Sequence, residues 1–203
     1  MSTIIYHHGS GEYPCYGSFR RIVKPIKGVG AIGICAPFHE RYGGLIRAGA
    51  SLSTYTAMVA ASILVVEATL RKIKTDFHGR VLVSGLSLGG FVSVFHSAFF
   101  GGADVYVPLL GGAYLGSALV DSYYRYLIST AVKDTGSVKD VLDVRNPLPV
   151  EKIYPLFGLY DGVVMPQIQA RPFKREHIAY IPRGHIMGSV SYTLLRKHML
   201  RYI

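Results

Sequence analysis

The segment 85–89, with the sequence Gly-Leu-Ser-Leu-Gly, constrains the fold more than any other part of the chain. An apolar run over 81–84 precedes it and predicts a buried strand, and apolar residues recur at helical spacing from Phe91 onward. A turn this tight between strand and helix holds Ser87 in strained backbone geometry, and the two glycines let both elements pass without a Cβ clash. We therefore predict that Ser87 is a nucleophile at the carboxyl end of its strand, beside a helix N-terminus that stabilises negative charge.

Length and composition favour a single domain over residues 1–203. The chain has 203 residues, of which 50% are hydrophobic, so it can bury a sizeable core and is not a disordered chain. Cys15 and Cys35 have neither metal nor redox spacing, and we expect no disulfide framework. The N-terminus lacks the pattern of a signal peptide, and the longest apolar stretch, 57–66, is too short to span a bilayer. These features predict a cytoplasmic protein.

The formal net charge of +10 does not by itself identify a partner. Lysine and arginine are scattered along the chain, mostly at predicted helix ends and in loops, where they complement helix dipoles. A nucleic-acid surface would interleave basic and aromatic residues on one face, and no such stripe is present, so we predict no nucleic-acid partner. Attraction to an anionic membrane surface is the less favoured interpretation of the charge.

Predicted strands alternate with predicted helices along the whole chain. This alternation predicts an α/β fold with three layers and a mainly parallel sheet of about six strands. The predicted strands are 4–6, 29–35, 81–84, 105–110, 153–160 and 177–181. The main predicted helices are 51–74, one that follows the 85–89 segment and ends at about 100, 117–133 and 189–203.

Two further polar residues follow late strands of the predicted sheet. A serine hydroxyl needs a base within hydrogen-bond reach and a group that orients the base. Asp161 and His185 follow predicted strands, and open α/β sheets gather functional groups at the carboxyl ends of their strands. We assign His185 as the base and Asp161 as the orienting acid, with Asp143 and Asp104 as alternatives for the acid.

The chain resembles the α/β-hydrolase superfamily on these residues. The order Ser87, Asp161, His185 is the order of that superfamily, and the G-x-S-x-G segment stands between strand and helix. The resemblance runs from the third conventional strand to the last helix, so the chain would be a minimal version that lacks the first two strands. It also implies a short, tyrosine-rich, lid-like insertion around 113–146.

The resemblance further implies an oxyanion hole after the first strand. His7-His8-Gly9-Ser10-Gly11 follows strand 4–6, and the family places half of its oxyanion donors in such a loop. The implied donors are the backbone N–H groups of Leu88 and Ser10, with Gly11 as the alternative. His8 and Gly9 are assigned to the substrate-binding side of this loop, with His8 orienting it.

The implied activity is that of a serine hydrolase that cleaves carboxylic esters through an acyl-enzyme on Ser87. The partner is then a small-molecule ester, and neither a metal nor another cofactor is called for. A peptidase or thioesterase with the same three residues, and a non-catalytic binding protein of the same fold, are the alternatives. Without its first two strands, the sheet would leave strand 4–6 as an unpaired edge, and we expect such an edge to favour a homodimer.

Overall fold

Six parallel strands form the centre of the molecule. The computed structural model describes residues 1–39, 41, 43–126 and 135–203. The strand order is β2-β1-β3-β4-β5-β6, and every pairing is parallel, which confirms the predicted α/β class. The strands are β1 (Thr3–His7), β2 (Gly30–Ile34), β3 (Val81–Leu86), β4 (Val105–Leu109), β5 (Leu156–Gly158) and β6 (Ala179–Ile181).

Helices cover both faces of this sheet. Strands β3 and β4 are buried at every position, as expected for central strands of a parallel sheet with two covered faces. The helices are α1 (Gly44–Ala48), α2 (Leu52–Asp76), α3 (Leu88–Phe99), α4 (Leu115–Val120), α5 (Thr135–Leu142), α6 (Pro166–Gln169), α7 (His185–Ser189) and α8 (Tyr192–Met199). One hydrophobic cluster joins the sheet to α2, α3, α4 and α5, and the second joins it to α8 and the π-helical turn Phe19–Val23.

The longest helix, α2, starts where the sequence predicts. Ser51 is its N-cap, and its side-chain oxygen accepts a hydrogen bond from the N–H of Thr54 at 3.1 Å. Among the described residues, α2 is the one helix that is long and apolar enough, by length and composition, to cross a membrane. Its buried side chains, among them Met58 and Val66, pack in the core cluster, as they do in a core helix.

Several predicted elements differ from the observed ones. The strand predicted over 153–160 shrinks to β5, because Ile153 makes only an isolated bridge with Tyr106. The helix predicted over 117–133 is wrong in its first half, where α4 ends at Val120 and a 3-10 turn occupies Tyr123–Tyr126. Its second half, from residue 127, lies outside the described residues, as does part of the insertion predicted over 113–146. The helix predicted over 189–203 is divided between α7 and α8.

The prediction from sequence that strand 4–6 is an unpaired edge of the sheet is wrong. β1 pairs with β2 on one side and with β3 on the other, so Ile5 lies between Ile32 and Val83. The two edges of the sheet are β2 and β6; β2 is the longer, with five residues against three, and its Ile32 is 37% exposed. Alternation of strands and helices predicts parallel pairing but not strand order, and the chain crosses back past β1 after β2.

We expect that any homodimer formed by sheet extension uses β2. The N–H of Gly30 donates to the carbonyl of Ser2 in the preceding segment, so the two-residue period of a strand directs the N–H of Ala31 away from β1. Ala31→Pro removes this outward donor without removing a bond to β1, and should convert a dimer into a monomer by light scattering. Ala31→Val keeps the donor and should stay dimeric. A monomeric wild-type protein would refute the expectation.

The two cysteines form a disulfide, contrary to the expectation from sequence. Cys15 and Cys35 are bonded, with their Cα atoms 5.6 Å apart and a sequence separation of 20. The bond joins the segment after β1 to the residue that follows β2. Spacing along the sequence could not reveal it, because parallel pairing of β1 and β2 brings the two residues together. Such bonds are rare in the cytosol, and the cytoplasmic location stays a prediction.

Removing the disulfide should destabilise the fold. A cross-link that closes a loop of 20 residues contributes about 3 kcal/mol through the entropy of the unfolded chain. The double variant Cys15→Ala/Cys35→Ala should therefore lose about this much free energy of unfolding in urea. Reductant should lower the melting temperature of the wild type and leave that of the double variant unchanged. Two reactive thiols in the unreduced, denatured wild type would contradict the pairing.

Candidate active site

Ser87 stands in a strained turn between β3 and α3. Its φ is 52° and its ψ is −108°, in a region that residues other than glycine rarely adopt. The N–H of Ser87 donates to the carbonyl of Leu109 at 2.8 Å, which anchors the turn to β4. A Cβ on Gly85 would overlap the backbone of Gly89, and a Cβ on Gly89 would overlap the carbonyl of His7. The two motif glycines are therefore required by close backbone packing.

The side chain of His185 joins Ser87 to Asp161. Ser87 Oγ lies 2.9 Å from His185 Nε2, and His185 Nδ1 lies 2.7 Å from Asp161 Oδ2. Because the carboxylate accepts the Nδ1–H, Nε2 is free to accept the serine proton. Asp161 is buried, and its Oδ1 also accepts the N–H groups of Val163 and Val164 at 2.8 and 2.7 Å. The carboxylate of Asp161 thus accepts three hydrogen bonds. Because the carboxylate is fixed, its bond to Nδ1 fixes the orientation of the His185 ring.

The two alternative acids lie in other places. Asp143 accepts hydrogen bonds from the N–H and Oγ of Ser117, at 3.0 and 2.8 Å, and so caps the first turn of α4. Burial raises the pKa of this carboxyl. Asp104 accepts the N–H of Val81 at 2.7 Å, at the amino end of β3 and opposite to Ser87. Of the three carboxylates, Asp161 is the one that contacts His185.

The loop that follows β1 lies directly against Ser87. A Cβ on Gly9 would lie 3.7 Å from Ser87 Cβ, in ordinary van der Waals contact, so the loop packs against the serine. The carboxylate of Glu12 shapes the loop, because it accepts the N–H of Gly9 at 2.8 Å and that of Ser18 at 2.7 Å. Since the N–H of Gly9 is occupied, the next candidate donors along the loop are the N–H groups of Ser10 and Gly11. Leu88 is the first residue of α3, where a helix supplies no internal acceptor for its N–H.

Three buried histidines support this loop from behind. His8 Nδ1 donates to the carbonyl of Gly9 at 2.7 Å, and its Nε2 accepts the N–H of Ala36 at 2.9 Å. His39 Nε2 lies 2.8 Å from the carbonyl of Ser10. His8 stacks on His7 and contacts the ring of His39. Both ring nitrogens of His8 are therefore used within the protein, so it orients the loop and has no polar atom for a substrate.

A narrow cavity opens beside Ser87, and we call it the acyl cavity. One hydroxyl pair lies at its wall, where Ser10 Oγ and the Tyr124 hydroxyl are 2.5 Å apart. Burial raises the pKa of Tyr124, so this phenol stays neutral at physiological pH. The lining consists of Ser10, Tyr55, Ser87, Leu88, Phe91, Leu115, Ala118, Leu119, Tyr124 and Val163. Apart from the serine and tyrosine hydroxyls, these side chains are aliphatic or aromatic, so the cavity suits an apolar group.

No metal site is evident in the part of the chain that the structure describes. Within residues 1–39, 41, 43–126 and 135–203, no group of three or more His, Cys, Asp or Glu side chains could hold a metal ion. The polar side-chain atom that bonds to Ser87 Oγ is His185 Nε2, at 2.9 Å.

The architecture is similar to that of several solved enzymes. An esterase from Pyrococcus furiosus has a TM-score of 0.62 and 13% identity, with coverage of 98% of this chain and 82% of the esterase. A structure reported with LipS and LipT, two metagenome-derived lipolytic enzymes, has a TM-score of 0.62, 14% identity and coverage of 99% and 92%. The chain has the α/β-hydrolase fold. At these identities the likeness shows the fold alone.

One further solved structure is similar to this chain, and two sequence comparisons found no match. An acylaminoacyl peptidase from Pyrococcus horikoshii has a TM-score of 0.61 and 12% identity, with coverage of 99% of this chain and 35% of the peptidase, so the chain spans about a third of that protein. No model of a protein family matches the sequence, and no curated protein matches it. Any inference about the chemistry of this chain therefore rests on the geometry of its own side chains.

Sequence reasoning missed three residues that shape the site. Glu12, His39 and Tyr124 each contact the loop after β1, directly or through Ser10. His39 belongs to a loop whose polar composition suggests exposure to solvent, yet its side chain is buried. Tyr124 is one of four tyrosines in the segment 113–126, and nothing in the sequence singles it out. Only the spacing of Glu12, three residues after Gly9, is a signal that a turn analysis could use.

The buried histidines behind the loop should make the fold sensitive to acid. Burial lowers the pKa of His7 to about 4 and, together with the neighbouring His7, lowers that of His8 to about 3. Below pH 6.5 the unfolded state binds protons that the folded state does not, so stability falls as the pH falls. Between pH 7.5 and pH 5, we expect a loss of about 2 kcal/mol from each histidine in the free energy of unfolding.

Urea unfolding at the two pH values measures this loss. His7→Leu should abolish about half of it, since His7 Nε2 is buried without a hydrogen-bond partner and an apolar side chain suits the position. The matched control is His78→Leu, at an exposed position, which should keep the full loss. An unchanged pH dependence in His7→Leu would contradict the explanation.

Proposed function

We propose that this protein is a serine hydrolase that cleaves carboxylic esters through an acyl-enzyme on Ser87. In the first step, Ser87 Oγ attacks the ester carbonyl carbon while His185 Nε2 takes the hydroxyl proton. The tetrahedral intermediate collapses, the ester C–O bond breaks, and His185 gives the proton to the departing alcohol. Water then attacks the acyl-enzyme with His185 as base, which releases the acid and restores Ser87.

The observation that carries the proposal is the continuous hydrogen-bonded chain from Ser87 through His185 to Asp161. Its two contacts of 2.9 and 2.7 Å are those that a general base and its orienting acid require before any substrate binds. The strained backbone at Ser87 adds support, because such strain is kept where surrounding structure and function hold it. A non-catalytic binding protein of this fold would not need Ser87, His185 and Asp161 to be hydrogen-bonded together.

Oxyanion stabilisation in this mechanism falls to backbone groups. The proposed donors are the N–H of Leu88, at the start of α3, and the N–H of Ser10, with Gly11 as the alternative. α3 is twelve residues long, and the positive end of its dipole faces the developing negative charge at Ser87. Removal of one such donor typically costs about 10² to 10³ in turnover.

An ester substrate is favoured by the surroundings of Ser87. The acyl cavity is mostly apolar, and the described residues show no charged side chain in its lining that would recognise the polar backbone of a peptide. Two similar structures bear names that denote ester or lipid hydrolysis, and one bears the name of a peptidase. Peptidase activity is the second candidate on that similarity alone, and turnover of a peptide p-nitroanilide faster than that of a p-nitrophenyl ester would favour it.

Substitutions in the three proposed catalytic residues should give a characteristic pattern of losses. Ser87→Ala, His185→Ala and the double variant should each lose about 10⁶ in turnover of a p-nitrophenyl ester, because the two residues act as one unit. Asp161→Asn should lose about 10⁴, because the amide stabilises the wrong tautomer of His185. A fluorophosphonate probe should label Ser87 in the wild type and should not label the Ser87→Ala variant.

Matched variants separate chemistry from loss of structure. Asp143→Asn and Asp104→Asn change carboxylates that do not contact His185, so they should keep activity within about tenfold. Ser84→Ala removes a buried serine on the same strand, whose Oγ bonds to the carbonyl of Val107, and should remain reactive with the probe. Ester turnover near the wild-type rate in Ser87→Ala would end the proposal.

A further inference from the structure

The acyl cavity is unusually small for a hydrolase substrate site. The space enclosed by its walls measures about 10 Å³, far below the ~300–1,000 Å³ of typical ligand pockets. Between its walls it leaves room for roughly one water molecule. Because Ser87 and Leu88 belong to the lining, an acyl group bonded to Ser87 Oγ enters this space first. The size of the cavity therefore limits the acyl group directly.

Most walls of the acyl cavity are fixed by the core of the protein. Tyr55 belongs to α2, Phe91 to α3, and Leu115 and Leu119 to α4, and all four side chains are buried in the same hydrophobic cluster. Enlarging the cavity at these positions would require repacking of a core at close-packed density. A longer acyl chain cannot displace them without a large loss of stability.

The remaining wall is formed by Tyr124, which two hydrogen bonds hold in place. The hydroxyl of Tyr124 lies 2.5 Å from Ser10 Oγ, and its N–H donates to Ser122 Oγ at 3.0 Å. The Ser122 hydroxyl in turn donates to the carbonyl of Ala118 in α4. Tyr124 is thus held between α4 and the loop that carries the proposed oxyanion donor Ser10. It closes the cavity and braces that loop at the same time.

We propose that the protein acts on esters of short acyl groups, of about two or three carbons, and that Tyr124 sets this limit. This inference rests on the proposed serine-hydrolase function and adds the substrate class. The ring of Tyr124 excludes longer chains by its volume. Its hydroxyl holds Ser10, so the ring and the hydroxyl have separable effects on chain-length preference and on turnover.

Specificity constants for a graded series of p-nitrophenyl esters test the size limit. In a closed pocket, one methylene too many costs about tenfold or more in kcat/KM. From acetate to octanoate, we expect the wild-type kcat/KM to fall by at least about 100-fold. Equal or faster turnover of octanoate would overturn the inference.

Two substitutions of Tyr124 separate the ring from its hydroxyl. Tyr124→Ala opens the cavity and should raise the octanoate-to-acetate ratio of kcat/KM by at least about tenfold. Tyr124→Phe keeps the ring, so the ratio should stay as in the wild type while kcat for acetate falls, because Ser10 loses its partner. A ratio that is unchanged in Tyr124→Ala would overturn the role of Tyr124.

The matched control is Tyr180→Ala, a partly exposed tyrosine on β6 that does not line the cavity. It should leave the ratio unchanged. If Tyr124→Ala fails to fold by circular dichroism, Leu119→Ala opens the same cavity from α4 and should shift the ratio in the same direction. No shift in Leu119→Ala would then count against the size limit.

A labelling experiment distinguishes failure of the size limit from failure of the proposed serine-hydrolase function. Labelling of Ser87 by alkyl fluorophosphonates of graded chain length, followed by mass spectrometry, reports on the cavity without turnover. Faster labelling by short chains supports the inference, and a rate independent of chain length overturns it alone. If no probe labels Ser87 and no ester is hydrolysed, both the function and the inference fall.

Discussion

The turn between β3 and α3 is the constraint on which the rest of the site depends. Ser87 has a backbone conformation that costs about 1–3 kcal/mol, and such a conformation persists only where its surroundings impose it. The bond from its N–H to the carbonyl of Leu109 and the contact between Gly85 and Gly89 impose it here. Because Gly89 also packs on the carbonyl of His7, the same contact fixes where β1 ends. The serine and the start of the loop after β1 therefore form one rigid unit.

That loop is held by buried polar groups rather than by regular secondary structure. Buried polar atoms cost free energy unless they are paired, and Glu12 and His8 pair the backbone of Gly9 from two sides. His39 adds a contact to the carbonyl of Ser10. Burial lowers the pKa of His8 to about 3, so the ring stays neutral and keeps one donor and one acceptor in place. The stability of the loop is thus linked to pH through groups that touch no substrate.

Patterns that are local in the sequence predicted the central strands. They also predicted where Ser87 and His185 lie, because each residue follows a strand within a distinctive turn. Contacts between distant segments could not be predicted in this way. Strand order is one example, since alternation of strands and helices does not say which strand is the edge. The pairing of Cys15 with Cys35 is another, because it follows from that order. The cavity wall at Tyr124 is a third, since a tyrosine in a tyrosine-rich segment carries no signal of its neighbour.

The two sides of Ser87 differ in a way that bears on how specificity arises. The cavity beside Ser87 is walled mostly by core side chains, whereas on the other side the His185 side chain reaches solvent, with 12% of it exposed. A groove of about 280 Å³, lined by Glu12 and Val190 among others, lies beyond the loop after β1. Burial of a methylene contributes only about 0.8 kcal/mol, so a short acyl group brings little binding energy of its own. In the proposed reaction, discrimination among acyl groups therefore comes from exclusion by the walls, and binding energy must come from the leaving group on the open side.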